Sequence, residues 1–122
     1  MKQVTFNRQL KELPKLGLRY PRTDTWTGYE LTSSFHPGRT FVVARESRTD
    51  LVNDRHVTRT CNSWMLYEGA SGIVVKPKDV RADTRELCIE KSLVMLATLP
   101  PSEIDSRIAG VVARRAEAFL SL

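Results

Sequence analysis

The chain of 122 residues is 41% hydrophobic and 27% charged, with 19 Lys+Arg against 14 Asp+Glu, two cysteines, six glycines and six prolines. That length holds a single domain, 1–122, the apolar content is too high for a disordered chain, and every apolar stretch is broken well before the roughly 18 residues that crossing a bilayer needs. The start Met1-Lys2-Gln3-Val4 lacks the apolar core of a secretory signal, so the expectation is a cytoplasmic protein without a membrane partner.

The net charge of +5 is unevenly placed, since residues 1–60 carry 11 basic and 6 acidic side chains while residues 61–122 carry 8 of each. Eight of those 11 are arginines (Arg8, Arg19, Arg22, Arg39, Arg45, Arg48, Arg55, Arg59), whose planar fork pairs with phosphate oxygens two at a time. A polyanionic partner, most simply RNA or DNA, is the natural inference, and a basic solvated surface is the plainer one. Cys61 and Cys88 lie far apart in sequence with only His36 and His56 to assist, which falls short of a metal-site spacing and reads as two buried free thiols, the alternative being a disulfide across a strand-to-helix or subunit contact.

Residues 1–28 read as an irregular arm or a short hairpin, because Pro14, Gly17 and Pro21 break any long element. From Tyr29 the period becomes two: Tyr29, Leu31, Ser33 and Phe35 alternate with Glu30, Thr32, Ser34 and His36, and the turn His36-Pro37-Gly38-Arg39 follows. A second antiparallel strand is expected over Arg39–Arg48, a connecting loop over Thr49–Asp54, and a long third strand over Arg55–Glu68. Ile73-Val74-Val75-Lys76-Pro77 reads as a short edge strand, and the β half ends near residue 78.

Helical spacing takes over for residues 83–121. Asp83-Thr84-Arg85-Glu86 has the form of a capping box with Asp83 at the N-cap, and the first helix stops at Pro100-Pro101. Ser102-Glu103-Ile104-Asp105 starts a second helix, whose Ile104, Ile108, Val111, Val112, Ala116 and Phe119 recur on one apolar face. The first helix is apolar around most of its circumference, more than covering a sheet requires. A homodimer with Leu93, Val94, Leu96, Ile108 and Val112 in its interface is therefore expected. The order predicts an α+β fold: an antiparallel β-sheet followed by two C-terminal α-helices, packed on one face or interlocked in a dimer.

Helices on one side leave the other face of the sheet free for a ligand. Thr32, Ser34, Arg45, Thr58, Thr60, Asn62, Lys76 and Lys78 are the expected RNA-binding residues there, because hydroxyls, an amide and cations can donate to phosphates and base edges. Trp64 or Tyr67 offers a ring for an unpaired base, unless core packing claims it. Catalysis has less support. His36 with His56 would be the acid/base pair of a ribonuclease-type toxin, and Asp50, Asp54, Glu68 and Asp79 the ligands of a divalent cation, but no spaced motif surrounds any of them. No enzyme, cofactor or resident metal is expected.

The strand–loop–strand Arg39–Glu68 and the ending Ala82-Asp83-Thr84-Arg85-Glu86 … Lys91-Ser92-Leu93-Val94 … Pro100-Pro101 … Ile104-Asp105 resemble the coat proteins of single-stranded RNA bacteriophages. The likeness covers roughly the last three quarters of the chain, in the order of elements. It implies a dimer with helices interlocked over a continuous sheet, an opposite face that looks into a capsid and holds an RNA hairpin, and assembly into a virion in the host cytoplasm. A competing expectation is a small phage- or plasmid-encoded basic protein that binds and inhibits a host nucleic-acid machine.

Overall fold

A computed structural model describes residues 2–7, 25–53 and 55–120, with side chains placed for 2–5, 27–46, 53, 61–114, 116 and 117. Strands β1 (Gln3–Asn7), β2 (Thr25–Thr32), β3 (Thr40–Val52) and β4 (Arg55–Glu68) form one antiparallel sheet in the order β1-β2-β3-β4. Helices α1 (Pro77–Val80), α2 (Arg85–Thr98) and α3 (Pro101–Leu120) follow. The α+β class and the C-terminal position of the helices agree with the sequence. The third strand expected over Arg55–Glu68 matches β4 end to end.

Several boundaries move, each for a local reason. β2 begins at Thr25, because Asn7↔Thr25 through Gln3↔Tyr29 pair it with β1, so the hairpin form of the N-terminal expectation applies to the paired residues and residues 8–24 lie outside the described ones. β2 ends at Thr32 instead of running on to His36: the Ser33 carbonyl accepts from the His36 N–H at 3.0 Å and the Ser33 hydroxyl from the Phe35 N–H at 3.3 Å, which curls the chain. That turn exposes Phe35 and buries His36, the reverse of what strand alternation predicted. The expected loop Thr49–Asp54 is mostly strand. β3 pairs as far as Val52↔Arg55, leaving two residues to reverse the chain, and Asn53 takes the left-handed conformation (φ 51°) that asparagine tolerates.

Ile73-Val74-Val75 makes only edge contacts with β4, through the Tyr67↔Val74 bridge, Glu68 N–H to Ile73 O at 2.8 Å and Val75 N–H to Leu66 O at 2.9 Å. Pro77 opens α1 rather than closing a strand, since a fixed φ and a missing N–H suit the first helical position. At α2 the N-cap is Thr84, whose hydroxyl accepts from the Leu87 N–H at 3.2 Å, and not Asp83. α3 starts at Pro101, one residue earlier than expected.

Directly opposed residues on paired strands share a face. His36 stands edge-on to Phe41 and bonds to α2, and Arg85 of α2 lies over Tyr29, so Tyr29, Leu31, Phe41, Val43, Arg45, Trp64, Leu66 and Glu68 form the side that carries α2. Glu30, Thr32, Thr40, Val42, Ala44, Met65 and Tyr67 form the far side. The expected free face fails at the centre of the sheet. Val42, Ala44, Met65 and Tyr67 on the far side are as deeply buried as Phe41, Val43 and Leu66 on the other. The runs Phe41-Val42-Val43-Ala44 and Met65-Leu66-Tyr67 are continuously apolar, the signature of strands covered on both faces.

The interior of α2 contributes Cys88, Ser92, Met95 and Leu96 to the core, and α3 contributes Ile104. Where α2 ends, Pro100 has no N–H to offer the Leu96 carbonyl, and His36 Nε2 donates to that oxygen instead at 3.0 Å. His36 therefore caps α2 from the β2–β3 turn. Its Nδ1 is buried, and no group among the described residues donates to it.

Candidate nucleic-acid interface

Strand alternation sends Arg45 and Trp64, opposite one another on β3 and β4, to the α2 side just beyond the N-terminal end of that helix. The Arg45 guanidinium carbon stands 5.8 Å from the centre of the Trp64 ring, and that of Arg85 stands 4.4 Å from the centre of the Tyr29 ring. The two rings are 6.3 Å apart and tilted by 45°. Two cations thus flank two aromatic rings in one strip, a geometry in which each cation is attracted by a ring quadrupole. Trp64 and Tyr29 are half-buried, so their inner parts pack on the core while their outer parts reach solvent.

Electrostatics favour an anion there. Among the described residues no carboxylate pairs with Arg45, whereas neighbouring Glu46, on the far side, is taken by Arg81 at 2.8 Å. Arg85 is bound to Glu86 through Nε at 3.2 Å and Nη2 at 3.0 Å. That bond holds Arg85 firmly protonated, and the Glu86 carboxyl is held below its usual range by a backbone N–H first and by Arg85 second.

The structure brings together only part of the expected RNA-binding set. Arg45 shares the helix side with Trp64, and exposed Asn62 lies in the stretch of β4 where the register with β3 shifts. Thr32 is exposed but on the far side, opposite Thr40, and Ser34 sits in the β2–β3 turn. Lys76 is drawn to Glu103 of α3 at 3.5 Å, and Lys78 is exposed on α1, so neither belongs to a sheet face. Thr58 and Thr60 stand opposite Thr49 and Ser47, and their side chains lie outside the described residues. Of the two candidate rings, Tyr67 is fully buried and serves the core. Tyr29 and Arg85 were missed: they are 56 positions apart, and only the docking of α2 on the sheet joins them.

Of the catalytic candidates, His36 and Glu68 are used structurally, and Asp79 is exposed on α1. His36 is buried with Nε2 committed to Leu96, Glu68 accepts from the N–H groups of Ala70 (3.2 Å) and Ser71 (2.9 Å), and the side chains of Asp50, Asp54 and His56 lie outside the described residues. Among the described residues no group of three or more His, Cys, Asp or Glu is placed to hold a metal ion, and no helix is long and apolar enough to cross a membrane.

A second surface is apolar. α2 exposes Leu87 (42%) and Val94 (66%) on one flank and Leu93 (44%) on the other, and α3 exposes Val112 (43%). Of the expected interface residues, Leu93, Val94 and Val112 are thus at the surface and Ile108 is half-buried, but Leu96 is wholly inside the chain's own core. The correction follows from helix geometry, because Leu96 lies eight residues after Cys88 and four after Ser92, on the stripe facing the sheet. Comparison with protein-family models, with curated proteins and with solved structures finds no match.

Proposed function

We propose that this chain is an RNA-binding structural protein that dimerises and assembles around RNA, as a small viral coat protein does. One observation carries the reading: the large apolar side chains of α2 and α3 that stand exposed among the described residues. Leu87, Leu93, Val94 and Val112 stand on two consecutive helices, which is the arrangement by which a second copy would complete a shared helical layer over the sheets. The basic excess of residues 1–60 and the arginine-flanked rings supply the polyanion-binding half of the function. Assembly in the host cytoplasm and residence in a virion belong to the same proposal.

The test is the double variant Leu93→Gln/Val94→Gln. Both side chains are exposed in the single chain, so the proposal expects a folded protein that no longer associates, read as a fall in mass by light scattering. Wild-type protein that is already a folded monomer at micromolar concentration would contradict the proposal and favour a basic protein acting singly on a host nucleic-acid machine.

A further inference from the structure

We infer that the strip beyond the N-terminal end of α2 is a binding site for single-stranded RNA, with one unpaired base stacked between the Trp64 indole and the face of the Arg45 guanidinium, and the flanking phosphates held by the in-plane N–H groups of Arg45 and Arg85. The inference rests on the RNA-binding reading above. It places the contact on the helix-bearing side of the sheet, not on the far face.

The Trp64 site falls about 1 Å short of the room a base needs. Arg45 lies 5.8 Å from the ring centre, beyond the separation of about 3.5–4.0 Å at which heavy atoms pack. A flat base in contact with both indole and guanidinium needs roughly 7 Å between them, twice that packing distance. The Arg45 side chain is exposed and has no ion-pair partner among the described residues, so a displacement of about 1 Å breaks no salt bridge. Base and arginine would then form the alternating cation and ring stack that single-strand binders use.

Arg85 has the complementary character, a cation already held in place. Stacking on Tyr29 and two bonds to Glu86 fix its position, and a guanidinium's five N–H donors exceed those commitments, leaving donors for a phosphate oxygen. Around this centre the same side of the sheet carries exposed Thr5 and Thr27, opposite one another on β1 and β2. These are short uncharged hydrogen-bonding groups suited to sugar hydroxyls and base edges. A base inside a duplex is stacked on its neighbours and shows only its edges, so a ring platform selects unpaired RNA.

The experiment titrates the full-length protein with a short single-stranded oligoadenylate and with an RNA duplex of the same length, following tryptophan fluorescence and the dependence of affinity on salt. The expected result is quenching by the single strand, weaker binding of the duplex, and a loss of about tenfold or more for Trp64→Leu. Arg45→Gln and Arg85→Gln should each weaken binding by a similar factor and lower the salt slope by about one. Lys78→Gln, away from the strip, should change neither the Trp64 signal nor the preference for single strands. If Trp64→Leu does not fold, the exposed Arg45→Gln decides the matter. Wild-type affinity and salt slope in Arg45→Gln, or a preference for the duplex, would overturn this site while leaving RNA binding intact. Failure of the wild type to bind either RNA would overturn the RNA reading itself.

Discussion

Removing the side chain that caps α2 should cost far less stability once the helix regains its own donor. The Leu96 carbonyl lies in the core and accepts from His36 Nε2 at 3.0 Å because residue 100 is proline. His36→Phe keeps a ring against Phe41 but leaves that carbonyl without a partner, a penalty of roughly 1–3 kcal/mol. Loss of the unpaired Nδ1 offsets part of it, so the single variant understates the bond. Pro100→Ala restores a backbone N–H four residues beyond Leu96 and lifts the proline's restriction on Leu99, whose extended backbone (φ -86°, ψ 122°) must turn helical for that N–H to reach the Leu96 carbonyl; where hydrogen exchange shows the residue-100 amide protected, the same His36→Phe change should be cheaper by about 1–2 kcal/mol. The offset from Nδ1 is common to both backgrounds and cancels in the double-mutant cycle. Urea unfolding at one fixed protomer concentration reads the four stabilities, with the m-value checking that the unfolding transition is unchanged. Costs that add to within about 0.5 kcal/mol would refute the account of His36 as the cap of α2.

Gly28→Ala should destabilise by about 1–3 kcal/mol, since an added Cβ would run into Val42 Cγ1 and stand 2.9 Å from the Val43 carbonyl oxygen; the same urea titration measures it. Thr84→Ala removes the acceptor for the Leu87 N–H and should cost about 1 kcal/mol, seen as a lowered melting temperature. Burial pushes the Cys88 thiol up, so at neutral pH a thiol reagent should label half-exposed Cys61 first and Cys88 only on unfolding. For the same reason stability should fall as pH rises past 9.0, where the thiol of the unfolded chain ionises and the buried one does not. The Glu86 carboxyl, held low in the folded protein, works in the other direction: its contribution is present above the ordinary carboxylate range and is lost as pH falls through its folded value, a loss absent in Glu86→Gln.

What could be read from sequence was what local pattern determines. β4 emerged whole because apolar and polar residues alternate over most of Arg55–Glu68, and the helices because Asp83-Thr84-Arg85-Glu86 and Pro100-Pro101 punctuate them, although the cap is Thr84 and not Asp83. Asp and Asn in Thr49–Asp54 suggested a loop, yet a hairpin needs only two turn residues and Asn53 alone shows positive φ among the described residues there. The free face was the costlier error: apolar residues on both sides of β3 and β4 were visible in the chain, but alternation was weighted over their continuity. His36 was read as a turn residue, and its role depends on Leu96, 60 positions away. The site was legible in Arg45 and Trp64. Arg85 and Tyr29 join them only through the docking of α2, while Lys76 was removed by an ion pair to Glu103 that no local pattern announces.

The most direct test of self-assembly around RNA is the mass of the freshly expressed protein by light scattering and electron microscopy, with its absorbance ratio at 260 and 280 nm. The account predicts particles of megadalton mass that carry nucleic acid. A folded monomer free of nucleic acid would contradict it.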